Sequence, residues 1–167
     1  PAANQILFIF QSSEGTIWLG TEAGLHVLDL STKEIRPVNF AGSKPEIAGA
    51  PIIWTAGETD NFLWFGSMHD GLFRYRKNFH GLTKSPLIEK DSAEMPVLSS
   101  AIYSIQSGTG DEIWFTTDRG ISRRMPEGTI VHYGEEYGVS RIGFELNSSF
   151  KDNRGFLYFG GEGGFYK

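Results

Sequence analysis

The sequence contains no cysteine. That absence removes thiol nucleophiles, thiolate metal sites and disulfides from consideration. It leaves the compartment open, since exported proteins can also lack cysteine. No apolar run approaches the roughly 18 residues that a membrane helix needs. The first residues, Pro1-Ala2-Ala3-Asn4, have no charged start and no apolar stretch, so they do not read as a signal peptide. Positive charge is in short supply: 15 Lys and Arg stand against 20 Asp and Glu, a net charge of −5. A broad nucleic-acid-binding face is therefore disfavoured, and so is contact with an anionic membrane surface. Sustained 3.6-residue periodicity is missing too, which argues against a helical bundle. The charged stretch 87–95 could form one helical turn at most.

Several chemical signatures are also absent. The four histidines, His26, His69, His80 and His132, show neither a His-Glu-x-x-His nor a repeated His-x-His spacing. No Gly-x-Ser-x-Gly nucleophile motif occurs. No glycine-rich turn leads into a helix with a Lys-Ser/Thr pair, as a phosphate loop requires. The neighbouring acids Asp111-Glu112 and Glu135-Glu136 do not make a general acid–base pair, because adjacency does not aim two carboxyl groups at one substrate. These readings lead to no catalytic residue, no cofactor and no metal site.

What the sequence does have is a repeat. Ile17-Trp18-Leu19-Gly20-Thr21 returns as Leu63-Trp64-Phe65-Gly66-Ser67, as Ile113-Trp114-Phe115-Thr116-Thr117 and as Leu157-Tyr158-Phe159-Gly160-Gly161. The aromatic anchors stand about 46, 50 and 44 residues apart, a period that four strands fill in propeller proteins. Other positions keep step with the anchors. Ile6, Ile52, Ile102 and Leu146 share one offset, and the turn formers Gly15, Asn61, Asp111 and Gly155 share another. With 167 residues, 40% hydrophobic and 21 glycines, the chain can build one all-β domain rich in tight turns.

The pattern of a small turn, then apolar-Trp-apolar-Gly-Thr, then Gly-Leu, resembles the two-component regulator propeller repeat. The resemblance runs through four successive copies. The last copy, 150–161, is similar to the final repeat of such arrays, where Tyr often replaces Trp and a Tyr-rich β-sandwich usually follows. Three features depart from the pattern: one extra residue between Trp64 and Gly71, Thr116 in place of glycine, and the end of the chain at Lys167 without a sandwich. The expected fold is all-β, with four-stranded antiparallel blades over about 5–40, 51–88 and 98–133, and a fourth over 145–167 that stops in its third strand.

Within this frame the residues divide. Trp18, Trp64, Trp114 and Tyr158 sit between apolar neighbours in a strand and are expected to pack blade against blade, not to stack on sugars. Replacing Trp18 by alanine is expected to cost less stability than Trp64→Ala if Trp18 lies at an open end of the array. Glu22, His69, Asp118 and Glu162 each stand two residues before a turn glycine. They occupy the turn between second and third strands, on the face that the inter-blade linkers 41–50 and 89–96 share. Polar tips are common on turns, yet binding residues concentrate on loops held by a rigid scaffold. These four are therefore the candidate ligand rim.

The resemblance implies a bacterial signalling protein whose propeller forms a periplasmic, extracytoplasmic input region feeding a histidine kinase or diguanylate cyclase. It implies a non-catalytic sensor, with oligosaccharides as a ligand class. A propeller enzyme, such as a polysaccharide lyase or glycosidase, and a purely structural interaction module are the alternatives. The chain is expected to begin inside an array and to belong to a larger ring of about seven blades. Its expected partners are a small-molecule or oligosaccharide ligand and either the remaining blades or a second copy of the chain.

Overall fold

A computed structural model describes residues 5–41, 49–77, 86–93, 100–139 and 143–167. Each repeat folds as a small antiparallel sheet. Blade one is β1 (Ile6–Gln11), β2 (Ile17–Thr21), β3 (Gly24–Asp29) and β4 (Glu34–Pro37), in that spatial order. The chain then adds β5 (Asn39–Phe40) to the outer edge of blade two, whose own strands are β6 (Ile53–Glu58), β7 (Phe62–Ser67), β8 (Leu72–Arg76) and β9 (Leu87–Lys90). Blade three is β10 (Ser104–Ser107), β11 (Ile113–Thr117), β12 (Gly120–Arg124) and β13 (Ile130–Tyr133). Blade four has β14 (Phe144–Lys151), β15 (Leu157–Gly161) and β16 (Gly164–Tyr166).

Two expectations need correction. The outer strand of the blade expected over about 5–40 breaks at Val38: β4 stays in blade one, while Asn39 and Phe40 pair in parallel with Leu87 and Ile88. Blade two is thus five-stranded, and within its sheet Phe40 meets Phe73 edge-on at 5.2 Å. The burial of Val38 and Phe40 explains the crossing, since both apolar side chains join the core between blades one and two. Second, the linker after β13 contains a single 3-10 turn, Glu135–Tyr137, where no helical residue was expected. The stretch 87–95, the expected site of a helical turn, instead supplies β9 at Leu87–Lys90.

The repeat's small residues have local causes. In blades one, two and three the hydroxyl that closes the second strand bonds the turn that follows. Thr21 Oγ1 donates to Gly24 O at 2.9 Å, and Ser67 Oγ donates to Gly71 O at 3.0 Å. Those hydroxyls also accept from Ala23 N and Asp70 N. At Gly71 the backbone needs φ +79°, which favours glycine. Gly66 serves close approach instead: a Cβ there would lie 2.5 Å from Thr55 Cγ2 and 2.8 Å from Ile102 Cβ.

The core lies between the blades. One cluster joins blades one and two around Trp18, Leu25, Ile53, Leu63, Phe65 and Tyr75. A second joins blades two and three around Trp64, Ile102, Ile105, Ile113 and Phe115. A smaller one joins blades three and four around Ile121, Val139, Phe144 and Phe159. Trp18 and Trp64 are both fully buried, so Trp18 is not at an open end. Each is sealed by the following blade. Trp18 packs 5.2 Å from Phe65 and 5.5 Å from Tyr75, ring centre to ring centre. Trp64 lies under the Arg124 guanidinium, 4.6 Å from the ring centre.

That guanidinium is itself fixed. Arg124 Nε and Nη2 grip both oxygens of Asp91 at 2.7 and 2.9 Å, and both side chains are buried. A two-pronged Arg–carboxylate grip is among the stronger polar contacts and specifies geometry as well as energy. The inner strands pack in the order β1, β6, β10, β14. The outward faces of the first and fourth blades carry exposed apolar side chains, among them Ile9, 68% exposed, and Phe165, also 68%.

Candidate functional site

Alternating turns give each blade two ends. Turns between second and third strands lie at one end, together with the linkers that lead into the next inner strand. Turns between first and second strands lie at the other.

Glu22, His69, Asp118 and Glu162 sit at the tips of the second-to-third-strand turns, and all four are exposed. The described parts of the linkers adjoin those turns. A Cβ on Gly24 would meet Ala50 Cβ at 2.8 Å, Gly71 N donates to Ser100 O at 2.8 Å, and Glu162 N donates to Gly143 O at 3.0 Å. Residues 42–48 and 94–99 of those linkers lie outside the described residues, as does His80. The four side chains share a face without converging. Among the described residues, none of them lines the five best-formed cavities, and Asp118 makes a long contact of 3.9 Å with its neighbour Arg119.

The opposite end is more heavily bonded. Ser13 of blade one donates through its N–H to Glu58 Oε2 of blade two at 2.8 Å, and its hydroxyl bonds Glu58 Oε1. Lys77 Nζ donates to Glu58 Oε1 and to Thr59 O, both at 2.8 Å. Asp111 of blade three accepts from Thr59 Oγ1 at 2.9 Å, Asn61 N at 2.8 Å and Asn61 Nδ2 at 2.7 Å. Lys151 of blade four donates to Ser107 O at 2.9 Å and Gly108 O at 3.0 Å. Each blade is thus tied to the next by side chains from this one set of turns.

The electrostatics follow from these ties. Burial alone would raise the Glu58 carboxyl, but hydrogen bonds from Lys77 and Ser13 outweigh it and hold the group below the usual carboxylate range. Asp111 behaves alike, with burial opposed by the bonds from Asn61 and Thr59. On β3, burial lowers the His26 imidazole from its ordinary value. Among the described residues, no group of three His, Asp or Glu is arranged to hold a metal ion.

Sequence spacing missed this set. Asn61 and Asp111 read only as turn formers, and the lysines carry no repeat signal. One clue was present. Lys151 occupies the position held by Gln11, Gly57 and Ser107 in the other repeats, so the fold does not demand a lysine there. Also missed was an aromatic pair on neighbouring inner strands. Trp54 and Tyr103 lie 5.5 Å apart, both half-buried, with the Trp54 indole N–H donating to Ile102 O.

No protein-family model matches the chain. Histidine kinase P4 of Formosa agariphila is 26% identical over 166 residues, which is 96% of this chain and 12% of that protein. Two solved structures share the fold. Each is the extracellular domain of a Bacteroides thetaiotaomicron protein classed as a hybrid two-component system. One superposes with a TM-score of 0.74 at 17% identity over 97% of this chain. The other gives 0.74 at 18% identity over 98%. In both cases the chain spans 22% of the solved structure, so the likeness concerns a run of blades within a larger assembly. Among the described residues, no helix is long and apolar enough to cross a membrane.

Proposed function

We propose that the chain is a non-catalytic, periplasmic segment of a bacterial signalling protein, which supplies propeller blades to a sensor or interaction region. The observation that carries this reading is the fold match along nearly the whole chain to extracellular domains of proteins classed as two-component systems, joined by the weaker sequence likeness to a histidine kinase. The blades are bonded to one another through their turns, and a scaffold of that kind presents loops in fixed positions. Glu22, His69, Asp118 and Glu162 form the proposed contact rim, with an oligosaccharide as the ligand class. The apolar flanks at Ile6 and Ile9, and at Phe150 and Phe165, are proposed to take further blades or a second copy of the chain.

Thermal unfolding in the presence of an oligosaccharide library tests the sensor reading, because a ligand that binds only the folded state raises Tm by mass action. A shift that disappears when Glu22, His69, Asp118 and Glu162 are replaced together by alanine supports the rim. Cleavage of any polysaccharide in the same panel would refute the non-catalytic reading and favour a lyase or glycosidase. Light scattering at several concentrations tests the flanks. Self-association that Phe165→Ser weakens supports them, and a strict monomer at all concentrations speaks against a second copy.

A further inference from the structure

Asp91 stands where blade two gives way to the linker toward blade three. Its N–H donates to Leu72 O at 2.9 Å, just beyond the last paired residues of β8 and β9. Its buried carboxylate lies between two guanidiniums. Arg124, from β12 of blade three, grips both oxygens at 2.7 and 2.9 Å. Arg74, from β8 of blade two, has its Nη1 3.7 Å from Oδ1, close enough for an ion pair but too far for a hydrogen bond.

The two arginines are matched in one respect and opposed in two. Each lies over a ring of β7: Arg124 is 4.6 Å from the centre of Trp64, and Arg74 is 5.3 Å from the centre of Phe62. Those rings are neighbours, 5.8 Å apart. Arg124 reaches across the junction and covers Trp64, whereas Arg74 belongs to the same sheet as Asp91. Arg124 is also well bonded, since its Nη1 donates to Met125 O at 3.0 Å. The Nε of Arg74 is buried with no hydrogen-bond partner among the described residues, and Glu89 Oε2 lies 3.8 Å away. A buried donor left unpaired is costly. A second acceptor position for Asp91 is therefore already built into its own blade.

We propose that Asp91 is a two-position latch on the junction between blades two and three. In the closed position, which this structure shows, it holds Arg124 over a fully buried Trp64. In the open position it turns to Nε and Nη1 of Arg74, satisfies the unpaired donor and lets Arg124 move off Trp64. The closed position dominates and the open one is a minor state of the same chain. Because the linker begins at Asp91, a displacement of the linker at the rim end shifts the carboxylate between its two partners. As a signalling device the latch rests on the reading of that end as a contact rim. As a latch it is tested without any ligand, so the two fail separately.

The test is native-state hydrogen exchange on the full chain. The N–H groups of Gly71 and Ile102 donate across the junction to Ser100 O and Ser67 O at 2.8 and 3.0 Å. That of Ala41 donates to Ile88 O at 2.7 Å, away from the junction, and is the reference. Arg74→Met keeps a stem against Phe62 and removes the donors, so the open position is lost. Exchange at Gly71 and Ile102 should slow by at least about threefold, with Ala41 unchanged. An Arg74 that merely supports Asp91 would give the opposite result, because its loss would loosen the grip on Arg124. Arg124→Lys keeps the charge but not the two-pronged grip. It should speed exchange at Gly71 and Ile102 at least about tenfold, the scale of one lost charge-assisted hydrogen bond, and spare Ala41. Far-UV circular dichroism checks that Arg124→Lys still folds. If it does not, Arg74→Met decides alone, on a side chain that is 27% exposed. Exchange that is faster or unchanged in Arg74→Met overturns the latch. So does an Arg124→Lys chain that folds and leaves the junction unchanged, or loosens Ala41 equally.

Discussion

Blade two is held on both sides in a way that blade three is not. At its two junctions Trp18 and Trp64 are fully buried, each covered by a third-strand residue of the following blade. Those residues, Tyr75 and Arg124, stand at the same distance after the turn glycines Gly71 and Gly120. Between blades three and four the same motif gives a different result. Trp114 is only half-buried and stacks on Tyr133 of its own blade at 5.5 Å and 17°, with Arg123 above it at 5.5 Å. Its indole N–H donates to Glu112 Oε1 at 2.6 Å, again within the blade. Trp64 instead donates to Thr59 Oγ1, a residue that also bonds Asp111 of the next blade. The anchor position comes from the repeat, whereas the burial comes from what the next blade lays over it.

The largest expected effect breaks the sealed side. Trp64→Ala empties a fully buried site and should destabilise by roughly 3–5 kcal/mol in denaturant unfolding. A loss below about 1 kcal/mol would mean that the ring carries no core. Gly66→Ala comes next. The added methyl meets Thr55 of its own blade and Ile102 across the same junction, and overpacking of this kind costs about 1–3 kcal/mol. Trp114→Ala should cost less than Trp64→Ala, about 1–2 kcal/mol, because part of its ring already faces solvent. Equal costs for the two tryptophans would erase the comparison.

Acid gives the mildest contrast. Glu58 and Asp111 sit below their ordinary values in the folded state. Their contribution to stability is therefore complete above the unfolded values of about 4 and disappears as pH falls through the folded ones. Lys151 ties blade four to backbone carbonyls of blade three, contacts that involve no carboxylate. Hydrogen exchange at falling pH should accordingly loosen Ser13 and Asn61 amides before those around Ser107 and Gly108. The reverse order would contradict the assignment of these ties.

Much of this was legible in the sequence. The spacing of Trp18, Trp64, Trp114 and Tyr158 located the second strands, and the turn glycines located the third. Strand alternation then fixed which turns share an end, so Glu22, His69, Asp118 and Glu162 fall on the linker side as expected. Other features depend on neighbours that spacing does not specify. The break at Val38 arises because Phe40 finds a better pocket in blade two than on the edge of blade one. The inter-blade ties at Glu58, Asp111 and Lys151 join residues far apart in sequence, through side chains at turns that any polar residue could occupy. Trp54 stands outside the repeat, and its pairing with Tyr103 follows only from the adjacency of two inner strands.

The claim that the following blade seals Trp18 and Trp64 but not Trp114 is tested most directly by fluorine NMR of the chain labelled with 5-fluorotryptophan. The solvent isotope shift between H2O and D2O reports whether each ring touches water, and single Trp→Phe variants assign the four resonances. The account predicts no measurable isotope shift for Trp18 and Trp64 and a clear one for Trp114. A solvent-sensitive Trp64, or a Trp114 as insensitive as Trp18, would contradict it.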